Sequence, residues 1–418
     1  MNSTNSKIVV TPLENSRLKF SAKLAVLMSA LLLITACSNG GSSGKPYFKA
    51  DTLKVTSYNV GLALNFVPYT RERLPVNEEL LADYDSDVIC LQEVWLEEQV
   101  EGIVEALKPN YPEIYTVPAE QIFSDSAACT EDEITPFAQC VTEQCPGLSG
   151  ADLVACTPVQ CGDPLFALPP VCLDAVLGSV GIPDVTVEAV IEAVTQPAGK
   201  FAFDGALGLI LASKYPLEAR EFQDFIDDST SNHRGALYAE ININKQTQVV
   251  GCTHPTANLS IEYPASGKHG SWEGENRFMQ QQMIEFVNAK AGDNPIYFGG
   301  DFNCSIANPA TGVDGDFADN CQLWLDNGFS SPAKDQLPCT FCYEENLLLR
   351  PEGGVGGSLL DHVFVKNLEA TTAITAERVF DTPVAIESVD PVSELQPEDS
   401  PKLTHPSDHF GVELDIRF

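Results

Sequence analysis

Two short polar clusters in the C-terminal part of the chain each abut an apolar, strand-like run: Phe298-Gly299-Gly300-Asp301-Phe302-Asn303 and Leu403-Thr404-His405-Pro406-Ser407-Asp408-His409-Phe410. Asp-x-Asn on an extended segment puts a carboxylate base and an amide donor on one face. Asp beside His at a strand end supplies an oxygen ligand for a hard cation and an imidazole for a phosphate oxygen within one small volume. Together these residues point to a metal-dependent phosphoesterase. Either cluster alone reads more often as a turn or plain loop, because Asp readily caps local backbone amides.

Further segments, in a fixed order, add weight. Val55-Thr56-Ser57-Tyr58-Asn59-Val60 is a β-run that delivers Asn59 to its end, and Asp87-Val88-Ile89-Cys90-Leu91-Gln92-Glu93-Val94 is a buried strand closed by a carboxylate. A carboxylate in such a place is costly unless it is paired or metal-bound. Val249-Val250-Gly251-Cys252-Thr253-His254 ends a third strand on His254, and Leu359-Leu360-Asp361-His362-Val363-Phe364-Val365 carries Asp361 in a fourth. A sheet could therefore converge all of these side chains. Strands are expected at 53–59, 87–92, 206–213, 235–243, 247–253, 295–299, 361–365 and 411–417, and helices at 76–83, 96–107 and 273–290.

At residues 50–115 and 205–418 the chain resembles the endonuclease/exonuclease/phosphatase superfamily. These metal-dependent phosphoesterases include pancreatic-type deoxyribonuclease, abasic-site endonuclease, inositol-phosphate phosphatases and neutral sphingomyelinase. The resemblance lies in the ordered motifs S-Y-N-V, L-Q-E-V, T-H, G-D-F-N, L-D-H-V and S-D-H-F. Leu91-Gln92-Glu93-Val94-Trp95, Leu211 to Leu217, His233-Arg234-Gly235-Ala236-Leu237 and the Arg277-x-x-Gln280 helix are most similar to neutral sphingomyelinases.

The resemblance implies an α/β fold, a two-sheet four-layer sandwich, and a set of roles. Glu93 would be the principal metal ligand with Asn59 and Asp408 close by, the ion being Mg²⁺, with Mn²⁺ or Ca²⁺ as alternatives. Asp301 would orient and deprotonate the attacking water, and Asn303 would hold that water or a phosphate oxygen. His254 and His409 would donate to charge developing on the phosphoryl group, with Asp361 orienting His409. Attack would be direct and in line. His233, His269, His362 and His405 match no demand of this mechanism.

Net charge and cysteine usage narrow the setting. The 418 residues carry 59 acidic against 24 basic side chains, a net charge of −35, with no Lys/Arg cluster. Such a surface repels polyanions and disfavours an extracellular nuclease, the alternative reading. A non-catalytic surface-binding protein is the third reading, opposed by the full set of motif residues. Arg17, Lys19 and Lys23 precede the apolar run Leu24 to Thr35, which suits a signal peptide and is too short to span a bilayer. Ile34-Thr35-Ala36-Cys37 resembles a bacterial lipobox. Residues 1–36 are therefore expected to be a lipoprotein signal peptide and 37–49 a flexible tether, with lipidated Cys37 anchoring the exported protein at the outer membrane or cell surface. The expected substrate is a phosphodiester, above all a phospholipid such as sphingomyelin.

Residues 50–418 form the expected catalytic domain, interrupted at 119–204 by a cysteine-rich, mainly helical insertion that departs from the family pattern. Cys129, Cys140, Cys145, Cys156, Cys161 and Cys172 alternate spacings of 11 and 5, reading as three 16-residue units stapled by disulfides of open connectivity. The stretch from Val185 to Val194 is expected as an amphipathic helix that packs these units down. Cys304 with Cys321, and Cys339 with Cys342, are further candidate bridges. Cys90 and Cys252, inside apolar strands, are expected as buried thiols.

Overall fold

The computed structural model describes residues 47–259, 261–350, 353–387 and 402–418. The signal peptide and Cys37 expected from the sequence lie outside these residues. Among the described residues no helix is long and apolar enough to cross a membrane.

Two sheets carry the catalytic motifs. Their strands, in chain order, are β1 (Thr52–Asn59), β2 (Val88–Gln92), β3 (Glu113–Tyr115), β4 (Ile210–Ser213), β5 (Glu218–Asp224), β6 (Gly235–Ile243), β7 (Gln246–Thr253), β8 (Ile296–Asp301), β9 (Asp361–Lys366), β10 (Ala373–Val379) and β11 (Gly411–Arg417). The first sheet runs β10-β11-β1-β2-β4-β3 and the second β9-β8-β7-β6-β5. Each has one parallel pair, β1 with β2 and β7 with β8, flanked by antiparallel strands. Parallel neighbours end at the same edge of a sheet. Each sheet therefore presents two consecutive motif residues at one edge.

The inner faces of the sheets pack through Leu53, Val55, Val88, Leu211, Leu237, Ile241, Val250, Val363, Leu414 and Ile416, all fully or almost fully buried. Helices α1 (Thr70–Ala82) and α2 (Glu97–Leu107) cover the first sheet with Leu81, Ile103 and Leu107. The long helix α7 (Trp272–Ala291) and α8 (Ala318–Asp326) cover the second with Met279, Met283, Val287 and Trp324. Both strand faces are thus apolar, which is why the strands read as continuous hydrophobic runs. The expected four-layer α/β sandwich is the observed architecture.

The insertion holds α3 (Glu131–Gln144), α4 (Gly150–Phe166), α5 (Pro170–Gly178) and α6 (Val187–Val194) around its own core, which includes Ile134, Phe137, Val141, Leu165, Leu173 and Val190. The expected amphipathic helix is α6, with Val190 and Val194 buried. The disulfides are concentric: Cys129–Cys172, Cys140–Cys161 and Cys145–Cys156. The 11/5 spacing is therefore the palindrome of a helical hairpin, folding back at residues 145–149. It does not define three separate units. Cys304–Cys321 and Cys339–Cys342 bridge as expected. Cys90 and Cys252 are not free thiols; they form a disulfide between β2 and β7.

Candidate active site

The site is assembled at the edges where the two parallel pairs end. In the first sheet Asn59 is in register with Gln92, so Asn59 and Glu93 emerge side by side. In the second, Gly300 is in register with Thr253 and Asp301 with Asp361, so His254, Asp301 and Asp361 share one edge. The loop before β11 adds Asp408 and His409. All of the catalytic and metal candidates read from the sequence thus come from strand ends or the residues just beyond them.

Hydrogen bonds link these residues across the two sheets. The Asn59 amide donates to Asp301 Oδ2 (2.9 Å) and to Glu93 Oε1 (3.2 Å). His254 Nε2 lies 3.4 Å from Asp301 Oδ2 and 3.8 Å from Glu93 Oε1, and His409 Nε2 lies 3.8 Å from the same Asp301 oxygen. His409 Nδ1 donates to Asp361 Oδ2 at 2.8 Å, which fixes its ring and aims Nε2 at Asp301. Asp301 Oδ1 accepts the Asn303 backbone N–H at 2.9 Å, and the Asn303 side chain donates to the carbonyl of Pro255, next to His254.

Two of these residues adopt left-handed backbone, Glu93 with φ 59° and Asn303 with φ 49°. Asn tolerates that region, whereas Glu seldom occupies it. Strain of this kind, about 1–3 kcal/mol, persists only where the surroundings over-determine it, and it concentrates at functional sites. The turn after β2 thus directs Glu93 toward Asn59 instead of continuing the strand.

Electrostatics separate the roles of the two histidines. Burial, together with the neighbouring Arg234 guanidinium, pulls the His254 imidazole down to about 4, so it stays neutral. Burial would also lower His409, but Asp361 and Asp301 outweigh it and raise His409 well above its ordinary value. Burial would raise Asp301, yet His409 and His254 hold it well below the usual carboxylate range. Glu93 goes the other way: burial, then the charge of Asp408, pushes it up to about 7. A carboxylate in that condition is short of positive charge, and a divalent cation would supply it.

Asp301, Asp361 and His409 have ligand atoms within 4.8 Å of one another and could by number hold a metal. His409, drawn toward its charged form by Asp361 and Asp301, already supplies positive charge to that group, whereas Glu93 is short of it, so the Glu93 side fits a cation better. Asp408 is placed by Ser407, whose hydroxyl donates to the Asn59 carbonyl (2.7 Å) and lies 3.1 Å from Asp408 Oδ1. Gly61 makes room for it. A Cβ there would lie 2.3 Å from Asp408 Oδ1, on a backbone with φ +61°.

Sequence reasoning missed the side chains that hold these segments in place. Arg73, fully buried on α1, donates to the carbonyls of Val60, Gly61, Pro68 and Pro406, tying the turn after Asn59 to the Ser407-Asp408 segment. Asn77 adds a bond to the Pro406 carbonyl at 2.8 Å. In sequence, Thr-Arg-Glu-Arg looks like a solvated helix start, so no local signal marks Arg73. Arg234 donates to the His254 carbonyl and lies over the Trp95 ring, 5.5 Å from its centroid. Its only sequence signal is its place in the His233-Arg234-Gly235 run. His233, His269, His362 and His405 are bonded within the scaffold, to Asp224, Asp228, Ser331 and the Leu347 amide respectively.

The insertion reaches the rim of this site. Asn65, in the loop after Asn59, donates to the carbonyls of Val180 and Ile182, and Ser266 donates to Asp174 on α5. At its exit Phe203 stacks on Trp95 at 5.1 Å, and Trp95 lies 6.0 Å from the His254 ring.

The solved structure of sphingomyelinase C from Streptomyces griseocarneus is similar to this chain, with 16% identity, a TM-score of 0.51, and coverage of 88% of this chain and 99% of that one. The structure of SmcL is similar with 16% identity, a TM-score of 0.50 and the same coverage. At such identities the likeness concerns the fold. No curated protein sequence matches the chain. The model of the endonuclease/exonuclease/phosphatase family matches residues 57–409, a span that contains every site residue described above, and the chain belongs to that family.

Proposed function

We propose that the protein hydrolyses phosphodiester bonds by direct attack of water, with a divalent cation held principally by Glu93, with Asp408 and Asn59 close by, and that its substrate is a phospholipid such as sphingomyelin. The observation that carries this reading is the convergence of His254, His409 and Asn59 on Asp301, with Glu93 on the other sheet sharing the Asn59 amide and facing His254. When bound, the cation would polarise the phosphoryl group and offset its charge; Mg²⁺ suits the few oxygen ligands here, and Mn²⁺ is its closest substitute. Asp301, ionised and held through both oxygens, positions the water and takes its proton as attack proceeds. His409, charged, and His254, neutral with Nε2 directed at Asp301, donate to oxygens on phosphorus. Asp361 keeps His409 charged and in the orientation this requires.

The acidic surface and the fold it shares with sphingomyelinase C support a lipid over a polyanion. Parallel assays on sphingomyelin in mixed micelles, bis(p-nitrophenyl) phosphate and plasmid DNA test the substrate. Turnover of sphingomyelin should exceed that of the soluble diester, with DNA slowest; preferred cleavage of DNA would reject the lipid reading.

The insertion, by this account, forms part of the wall that the larger substrate meets. Replacing residues 125–198 with a short Gly/Ser linker should leave hydrolysis of the soluble diester largely intact while lowering activity on sphingomyelin. Equal losses on both would mark the segment as structural. Cys37 is proposed as the lipidated anchor. Cys37→Ala should abolish lipid labelling and release the protein from the membrane fraction, and unchanged fractionation would refute that assignment.

A further inference from the structure

Cys90 stands three residues before Glu93 and Cys252 two residues before His254, and the two cysteines are bonded across the space between the sheets with a Cα–Cα distance of 5.1 Å. Glu93 extends from the first sheet and His254 from the second. The only covalent link among the described residues that joins these two sheets therefore sits about 7–10 Å below the site, at roughly 3.3 Å per strand residue.

The surroundings are built for close approach at this level. Gly299 on β8 is in register with Cys252, and a Cβ there would lie 3.2 Å from Cys90 Cβ and 3.5 Å from Ser57 Cβ. The buried Gln92 amide donates to the Cys90 carbonyl (3.0 Å) and Ser57 Oγ (3.3 Å) and lies 2.7 Å from Cys90 Sγ, filling the polar end of the gap. Packed apolar faces resist sliding only through many weak contacts. The chemistry depends on spacings between sheets, such as the 3.8 Å between Glu93 Oε1 and His254 Nε2.

We propose that the Cys90–Cys252 disulfide is a positioning element of the active centre, fixing the Glu93 end of β2 against the His254 end of β7 so that the cation site and the phosphate-facing imidazole keep their spacing. The inference rests on the metal-assisted reading above. Cys90 and Cys252 act through Glu93 and His254 and touch no substrate.

The first measurement is peptide mapping of protein alkylated while denatured and unreduced. Labelling at Cys90 and Cys252 would overturn the proposal. Next, Cys90→Ala/Cys252→Ala is compared with Cys145→Ala/Cys156→Ala, which opens a staple within the insertion. Mn²⁺ binding by electron paramagnetic resonance, kcat and KM for the soluble diester are read well below each melting temperature. Supporting shells around a metal centre typically contribute about 10–100-fold, so the inter-sheet variant should bind Mn²⁺ roughly 10-fold more weakly and lose kcat by a similar factor, with KM nearly unchanged. The insertion variant should keep both. Should the double Ala variant not fold, Cys90→Val/Cys252→Ala restores the lost volume and is measured in its place. A folded inter-sheet variant with lowered melting temperature but unchanged Mn²⁺ affinity and kcat would overturn the proposal and leave the bridge a staple. Absence of Mn²⁺ binding by the parent would instead reject the metal reading itself.

Discussion

Asp301→Ala should retain the fold and lose phosphodiester hydrolysis by about 10²–10⁴-fold in kcat, and His409→Ala should lose a similar factor. The size follows from where Asp301 stands. One oxygen accepts from Asn303 and the other from Asn59, with both histidines facing it at 3.4 and 3.8 Å. Asp301 is the carboxylate that both imidazoles face, so its loss removes the acceptor at their common focus. His409 is the only imidazole of the pair held in its charged form, and its loss also leaves Asp361 buried without its partner. KM should move far less than kcat, because both groups act on charge that develops only after binding. Near-normal kcat in either folded variant would reject the assignment.

Glu93→Gln should weaken Mn²⁺ binding by more than about 100-fold, since even outer-shell partners of a metal centre contribute about 10–100-fold. Its effect on stability should have the opposite sign. Glu93 is raised to about 7 by burial and Asp408, so without metal its ionised form opposes folding. For an acid raised in the folded state, that cost is complete above the folded value, shrinks as pH falls, and vanishes below the unfolded value of about 4.3. Metal-free Glu93→Gln should therefore melt above the parent at pH 8, with the gap closing toward pH 4.5. A variant that melts lower at pH 8 and binds Mn²⁺ normally would show Glu93 to be a structural carboxylate.

Much of this arrangement was legible in the sequence because its polar residues interrupt apolar runs at strand ends. Asn59, Glu93, His254, Asp301 and Asp361 each follow or open such a run, and the strands carrying them lie within a few residues of expectation. Strands β5 (Glu218–Asp224) and β10 (Ala373–Val379) leave no strand signature in the sequence because edge strands, half exposed, mix charged and apolar residues without a continuous core run. The sequence predicts a helix from residue 76, but α1 begins at Thr70 and continues through Pro75, with Arg73 and Asn77 anchored on its buried face. The Cys90–Cys252 bridge escaped because its cysteines are 162 residues apart in strands of different sheets, and a buried cysteine looks the same locally whether free or bonded. The pairing within the insertion likewise depends on where the chain turns back, which the spacing alone leaves open.

Chelation tests the central claim most directly. Protein treated exhaustively with EDTA and freed of it should hydrolyse neither sphingomyelin nor bis(p-nitrophenyl) phosphate, and Mg²⁺ should restore both. Full activity after chelation, with metal content verified as negligible, would contradict the account.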